Sequence, residues 1–162
     1  MGTVPRYHLV GVGGVGMSPL AQILVGLGFG VSGSDRDRDA GHDLEILRKL
    51  ECAGVSLYPQ DGTGVAGSSA LVVSTAIEAD NPDLAEARRR GLPVLHRAEL
   101  LARLANAGRC LAITGTSGKS TVTGMTAWLL EQLGADPTVM NGAIILNWRT
   151  DAVAGNARVG RS

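Results

Sequence analysis

Apolar residues in this chain fall into short continuous runs, each followed by a glycine turn or a stretch where they recur at helical spacing. That alternation builds a parallel sheet with helices on its faces. Residues 7–12 read as a first strand. Met17, Leu20, Leu24 and Leu27 then predict a helix over 17–27 with those four side chains on its buried face. Pro19 is compatible because it falls in the first turn, where its missing N–H breaks no hydrogen bond. A second strand is predicted at 29–32, ending at Ser34-Asp35, and a polar loop over 36–41 leads to a helix near 43–53, beginning at Asp43. Short strands follow at 55–58 and 70–74, the latter apolar enough to be buried. Asn81 and Pro82 supply an N-cap and a first helical residue, and Gly91 with Pro93 beyond it supplies the stop. The basic run Arg88, Arg89, Arg90 complements the negative end of that helix. A strand at 94–95 precedes a helix near 98–106.

The pattern then restarts. Residues 109–114 read as a strand, followed by a second glycine turn and a helix near 119–133. Val122, Met125, Leu129, Leu130 and Leu133 form its predicted buried stripe, and Gly134 its C-cap. A strand is predicted at 138–140, and the remainder of 137–162 has little regular pattern. A boundary near 106–108 divides the chain into residues 1–107 and 108–162. The second part is short for a self-sufficient α/β domain and reads as incomplete. The expected fold class is α/β, with a Rossmann-like parallel-sheet domain followed by the first part of a P-loop-type α/β ATPase domain.

Composition narrows the possibilities. Aromatic residues are only 3% of the 162, so the core must be built from Ala, Val, Leu and Ile. Lys and Arg number 15 against 15 Asp and Glu, which argues against a nucleic-acid groove or a membrane-facing surface. No apolar run approaches the roughly 20 residues of a membrane span, and the N-terminus lacks a signal-peptide pattern. Cys52 and Cys110 are far apart, with no CxxC, so both are expected to be small buried residues in a reducing, cytoplasmic compartment.

Two turns carry candidate chemistry. Gly11, Val12, Gly13, Gly14, Val15 and Gly16 lie between a predicted strand and a predicted helix. Glycines there permit unusual backbone angles and let a diphosphate approach the main chain, while the helix start offers free N–H groups. Asp35 ends the next strand, 24 residues after Gly11, where it can accept hydrogen bonds from a ribose or base. This physics fits NAD, a flavin or a UDP-sugar equally. The second turn is Thr114, Gly115, Thr116, Ser117, Gly118, Lys119, Ser120, Thr121. Its spacing departs from the usual P-loop, since Ile113 stands where a glycine is expected. The working parts remain: an anion nest of backbone N–H groups, Lys119 for the β- and γ-phosphates of ATP, and the Ser120 hydroxyl for Mg²⁺. Among the histidines, His8 reads as packed within its strand and His42 as solvated; His96 alone has a functional case.

Gly11-Val12-Gly13-Gly14-Val15-Gly16-Met17-Ser18, Ser32-Gly33-Ser34-Asp35, Ser74-Thr75-Ala76-Ile77, Asn81-Pro82 and His96-Arg97-Ala98-Glu99-Leu100 together resemble the first domain of the Mur ligases. The turn at 114–121 resembles that family's ATP loop, and residues 136–143 resemble the segment that comes after the loop in the family. The resemblance is greatest to the family's alanine-adding branch. It implies ATP and Mg²⁺ as cofactors and UDP-N-acetylmuramate and L-alanine as substrates, joined through an acyl phosphate in the synthesis of peptidoglycan. It also implies site residues. Gly13, Gly14, Val15, Gly16, Met17 and Ser18 would hold the UDP diphosphate. Asp35 with Ser74, Thr75, Ala76 and Ile77 would flank the uridine, with His96 and Arg97 nearby. Gly115, Thr116, Ser117, Gly118, Lys119, Ser120 and Thr121 would hold ATP. Ser117 and Ser120 stand where the alanine-adding branch usually carries His and Thr; serine after the lysine is common in other Mur ligases and keeps the magnesium hydroxyl. The family's magnesium-binding glutamate, adenine contacts and C-terminal domain have no counterpart in these residues. The 162-residue chain is therefore expected to bind UDP-sugar without ligating. Two other classes fit the turns: an NAD(P)-binding oxidoreductase or regulatory module, and a non-catalytic protein that docks a partner through a bound nucleotide. The sequence does not reveal an oligomeric state.

Overall fold

A computed structural model describes residues 4–42 and 44–161; the expected helix start at Asp43 lies outside them, as do Met1, Gly2, Thr3 and Ser162. Five strands form one parallel sheet: β1 (Arg6–Val10), β2 (Gly30–Ser34), β3 (Ser56–Tyr58), β4 (Ala70–Val73) and β5 (Val94–His96). Their order is β3-β2-β1-β4-β5, every neighbouring pair parallel. The connections are α1 (Met17–Gly26), the four-residue α2 (Arg36–Asp39), α3 (Glu45–Cys52), a 3₁₀ turn at Thr63–Val65, and α4 (Pro82–Arg89); α5 (Arg97–Ala105) follows β5. Leu9, Val12, Leu20, Leu24, Leu50 and Val72 are fully buried between α1, α3 and the sheet. A second cluster around Val10, Val65, Leu71, Leu84 and Ala87 fills the other face.

Local signals account for most boundaries. The Asn81 side chain accepts from the N–H groups of Asp83 and Leu84 to cap α4, with Pro82 in its first turn. Gly91 beyond the helix has φ +67, the left-handed conformation that a glycine adopts without strain. Three expectations change within this unit. Residues 36–41 do not form a plain loop, because Asp35 accepts from the Asp37 N–H and caps α2. Leu27 leaves the predicted buried stripe: it is the C-cap of α1 and 46% exposed. Cys52 and Cys110 are both exposed, not buried, since Cys52 ends α3 and Cys110 lies in a segment without secondary structure.

Larger differences come after residue 106. Residues 109–114 form no strand, because no strand among the described residues pairs with them. Helix α6 (Lys119–Gln132) forms as expected, yet Val122, Met125, Leu129 and Leu133 are exposed and Ala127 alone is buried. Of the expected stripe, Leu130 alone is half-buried; the spacing is right but the stripe has little surface to pack on. The chain instead returns to the first unit. β6 (Val139–Met140) and β7 (Ala157–Arg158) make an antiparallel pair, the second strand of which was not expected, and both contact α1. Arg149 pairs with Glu45 at 3.0 Å, and Lys49 Nζ donates to Val153 O at 3.4 Å. No helix among the described residues is long and apolar enough to cross a membrane.

Candidate nucleotide site

The strand order reverses direction between β1 and β4, and ligands of open α/β sheets bind outside the carboxyl ends of strands at such a switch point. The turn after β1 and the turn after β4 meet there. Gly11 has φ +71, and a Cβ on it would lie 3.5 Å from Ile77 Cδ1. Ser74 O accepts from the Ile77 N–H at 3.2 Å, a tight turn that leaves Thr75 and Ala76 exposed. Arg97, the first residue of α5, lies against the turn from the other side: a Cβ on Gly16 would stand 2.7 Å from its Nη1. Gly16 therefore keeps room for a guanidinium beside the start of α1.

The turn's own hydrogen bonds show which donors remain. Gly11 N–H and Val12 N–H both donate to Ser34 O, at 2.8 and 3.0 Å. Gly13 N–H donates to Asp35 Oδ2 at 2.8 Å, and Gly14 N–H to Gly11 O at 3.0 Å. The N–H groups of Met17 and Ser18 both donate to Gly14 O. The N–H groups of Val15 and Gly16 find no acceptor among the described residues, at a helix start that favours an anion. Met17 is buried in the core, Ser18 is 1% exposed, and Val15 is 71% exposed. Asp35 thus holds the turn with one oxygen and caps α2 with the other.

His96 caps α5 through Nδ1, which accepts from the Ala98 N–H at 3.2 Å. The ring proton then sits on Nε2, a buried donor without a partner among the described residues.

Residues without a role in the sequence reading also support the site. His8 is fully buried, as expected of a packed histidine, with Nδ1 2.9 Å from Ser32 Oγ and Nε2 3.4 Å from Asp83 Oδ2. Asp83 accepts from Ser34 Oγ at 2.5 Å and from the Gly62 N–H at 2.8 Å. Burial pushes the Asp83 carboxyl up, but His8, Ser34 and Gly62 outweigh it and hold it below the ordinary aspartate range. Because Ser34 O receives the first two N–H groups of the glycine turn, this buried network anchors the turn from beneath. Its sequence signal was an acidic residue two positions after Asn81, which local capping alone explains. Arg36 makes two 3.0 Å hydrogen bonds to Glu78, linking the loop after β2 to the loop after β4 across the end of β1. His42 is exposed, as expected, 3.5 Å from Asp37.

The second turn lies apart from the first. Residues 114–119 are exposed; Gly115 has φ +150 and Gly118, the N-cap of α6, has φ +75. The N–H groups of Ser117, Gly118, Lys119 and Ser120 find no acceptor among the described residues. Lys119 Nζ folds back onto Gly115 O at 2.6 Å and Thr116 O at 3.3 Å. The Ser120 hydroxyl makes no hydrogen bond within the described chain, and a Cβ on Gly142 would stand 3.4 Å from it. No group of three or more His, Cys, Asp or Glu among the described residues could hold a metal ion. A cleft of about 440 Å³, lined by Cys52, Trp148 and Val153 among others, includes no residue of either turn.

A family model described as Mur ligase family, catalytic domain, matches residues 6–109. The chain belongs to the Mur ligase family. UDP-N-acetylmuramate–L-alanine ligase of Bradyrhizobium diazoefficiens is 48% identical over 153 residues, which make up 94% of this chain and 31% of that protein. The protein of the same name from Paracoccus denitrificans is 44% identical over 155 residues, 95% of this chain and 32% of its own. Among solved structures, UDP-N-acetylmuramate–alanine ligase of Thermotoga maritima superposes with a TM-score of 0.84 at 28% identity, covering 96% of this chain and 35% of that one. The UDP-N-acetylmuramate:L-alanyl-gamma-D-glutamyl-meso-diaminopimelate ligase of Neisseria meningitides gives 0.83 at 26% identity, covering 98% and 48%. This Mur ligase chain spans about a third of the length of the curated relatives it matches. The five-stranded parallel α/β fold is the family's, and the family match ends before the second turn begins.

Proposed function

We propose that this chain is the nucleotide-holding part of a cytoplasmic ligase that uses ATP to join L-alanine to UDP-N-acetylmuramate. The observation that carries this reading is the pair of glycine turns, each with backbone N–H groups left free at a helix start, in a chain 44–48% identical to proteins named for that reaction. Residues 1–107 hold the UDP-sugar and residues 108–162 begin the ATP-binding part.

In the reaction, the lactyl carboxylate of UDP-N-acetylmuramate attacks the γ-phosphorus of ATP, releasing ADP and forming an acyl phosphate. The L-alanine amine then attacks the acyl carbon, phosphate leaves, and an amide remains. Residues 13–18 take the UDP diphosphate, with the Val15 and Gly16 N–H groups as donors and Arg97 as the countercharge. Asp35 and the turn formed by Ser74, Thr75, Ala76 and Ile77 flank the uridine, with the His96 Nε2–H as a further donor. Residues 115–121 cradle the ATP phosphates. Lys119 would exchange the carbonyls of Gly115 and Thr116 for phosphate oxygens, and the Ser120 hydroxyl would be one ligand to Mg²⁺. When bound, Mg²⁺ would supply charge neutralisation for the phosphoryl transfer. The 162 residues bind the UDP-sugar and do not complete the ligation.

Calorimetric titration with UDP-N-acetylmuramate, NADH and a non-hydrolysable ATP analogue tests this. UDP-N-acetylmuramate is expected to bind and NADH not to; tighter NADH binding overturns the reading. Lys119→Ala should weaken the ATP analogue at least about tenfold, the weight of one charge-assisted phosphate contact, and leave UDP-sugar affinity unchanged.

A further inference from the structure

Asp83 and His8 are fully buried beneath the first glycine turn, out of reach of any ligand. Donors from three separate segments converge on the Asp83 carboxylate. Its Oδ1 accepts from the Gly62 N–H at 2.8 Å, and its Oδ2 accepts from the Ser34 hydroxyl at 2.5 Å and from His8 Nε2 at 3.4 Å. On the far side of the imidazole, His8 Nδ1 meets Ser32 Oγ at 2.9 Å. Gly64 leaves room for the ring, since a Cβ there would stand 2.5 Å from His8 Cε1.

From Ser34 a ladder of hydrogen bonds climbs to the free donors of the turn. Ser34 O accepts from the Gly11 and Val12 N–H groups, Gly11 O from the Gly14 N–H, and Gly14 O from the N–H groups of Met17 and Ser18. Val15 and Gly16, whose N–H groups find no acceptor among the described residues, lie between Gly14 and the last rung. A carboxylate and an imidazole buried together are no better a source of stability than apolar side chains of the same volume, because both lose their hydration. What they supply is a fixed geometry. Any shift of Ser34 leaves a buried charge short of a donor, which is costly.

We infer that Asp83, oriented by His8, is a positioning residue for the diphosphate of the nucleotide. It locks Ser34, and through Ser34 the glycine turn, so that the Val15 and Gly16 N–H groups are held in place before the ligand arrives. The inference rests on the reading that the first turn takes a nucleotide diphosphate. A preset turn loses little conformational freedom on binding, whereas a loosened one must be ordered by its ligand. Loosening the turn from beneath should therefore lower the affinity at 13–16. The turn at 115–121 takes part in none of these hydrogen bonds and should be unaffected.

The test measures Kd for UDP-N-acetylmuramate, NADH and a non-hydrolysable ATP analogue in the wild-type chain, Asp83→Asn, Ser34→Ala and the double variant. Asparagine keeps the shape of Asp83 without its charge, and alanine removes the Ser34 hydroxyl while leaving the carbonyl. Asp83→Asn should weaken the UDP-sugar about tenfold and Ser34→Ala about threefold to fivefold, each with ATP-analogue affinity within about twofold of wild type. The double variant should be no weaker than Asp83→Asn alone, because both substitutions act through one hydrogen bond. In amide proton–nitrogen correlation spectra of the ligand-free variants, the Gly11 and Val12 protons should move upfield as their bonds to Ser34 O lengthen. A residue that only stabilised the fold would lower the melting temperature and leave those shifts and the ratio of the two affinities as they are. Unchanged UDP-sugar affinity in the folded variants, equal losses at both turns, or additive losses in the double variant overturns the inference and leaves the proposed function standing. A wild type that binds NADH in place of the UDP-sugar overturns the proposed function; the same ratios read with NADH then decide the inference by the same criteria. A folded wild type that binds neither overturns both. If Asp83→Asn does not fold, Ser34→Ala decides: a selective loss at the first turn supports the inference, and no loss overturns it.

Discussion

Leu24 and Leu129 each lie on the apolar stripe of a helix that begins at a glycine turn. Leu24 is fully buried and Leu129 is 59% exposed. Around α1, the sheet covers one side, α3 another, and the β6–β7 pair closes the seam. Around α6 there is no sheet, since residues 109–114 pair with no strand among the described residues. The stripe's spacing sets which face of a helix is apolar. Burial depends on whether another element meets that face, and only the first region has one.

The largest expected effect tests the covered helix. Leu24→Ala should cost about 3 kcal/mol of unfolding free energy in urea denaturation, the sum of lost transfer energy and a cavity. A loss below about 1 kcal/mol would mean that the first region's core is loosely packed. Next, Asn81→Ala removes the side-chain oxygen that caps α4 and should cost about 1 kcal/mol; Asn81→Asp, which keeps the acceptor, should recover most of it.

Acid should separate the regions by a smaller margin. Lys49, then Arg149, holds the Glu45 carboxyl below its ordinary range, and Arg158, then the Arg161 N–H, does the same for Asp136. A carboxylate depressed in the folded state contributes stability that is complete above its unfolded pKa. That contribution is lost as pH falls through the folded value. Below about pH 4.5 the Arg149–Glu45 contact with the first region, and the Asp136 contacts that order residues 136–161, should therefore weaken. Trp148 fluorescence in a Trp128→Phe background, followed down to about pH 3, should report loosening there before far-UV circular dichroism reports loss of the sheet. Coincident transitions would show that the two regions unfold as one.

The smallest effect is expected at the exposed stripe. Leu129→Ala should change stability by less than about 0.5 kcal/mol. A cost approaching that of Leu24→Ala would reveal a partner surface on α6 in solution.

Legibility in the sequence divided along the same line. Asn81-Pro82, Gly91 and Gly134 marked their turns correctly because a cap or a left-handed glycine is decided by a few neighbouring residues. The glycine turn after β1 and the turn at 74–77 were read from separate stretches, and the fold brings them together at the switch point. Asp35 was read as an acceptor for a ligand, and its two oxygens also bind the Gly13 and Asp37 N–H groups. Asp83 was not singled out, because a polar residue at a helix start carries no mark of burial. It became important only when it met partners 21, 49 and 75 residues away. The Cys52 and Cys110 expectation failed for the related reason that residue type sets a tendency toward burial while position in the packed chain sets the outcome.

By itself, the sequence determined where α1, α4 and α6 begin, which faces are apolar, and which two turns have the glycines to present backbone N–H groups to anions. These depend on side-chain size and hydrogen bonding within a few residues. Tertiary structure decided which apolar faces are covered, which N–H groups of each turn stay free, and that Asp83 meets Ser34 and His8 beneath the first turn. Those outcomes depend on contacts between distant segments, and a hydrogen bond across a buried seam exists only once both sides have been folded against each other.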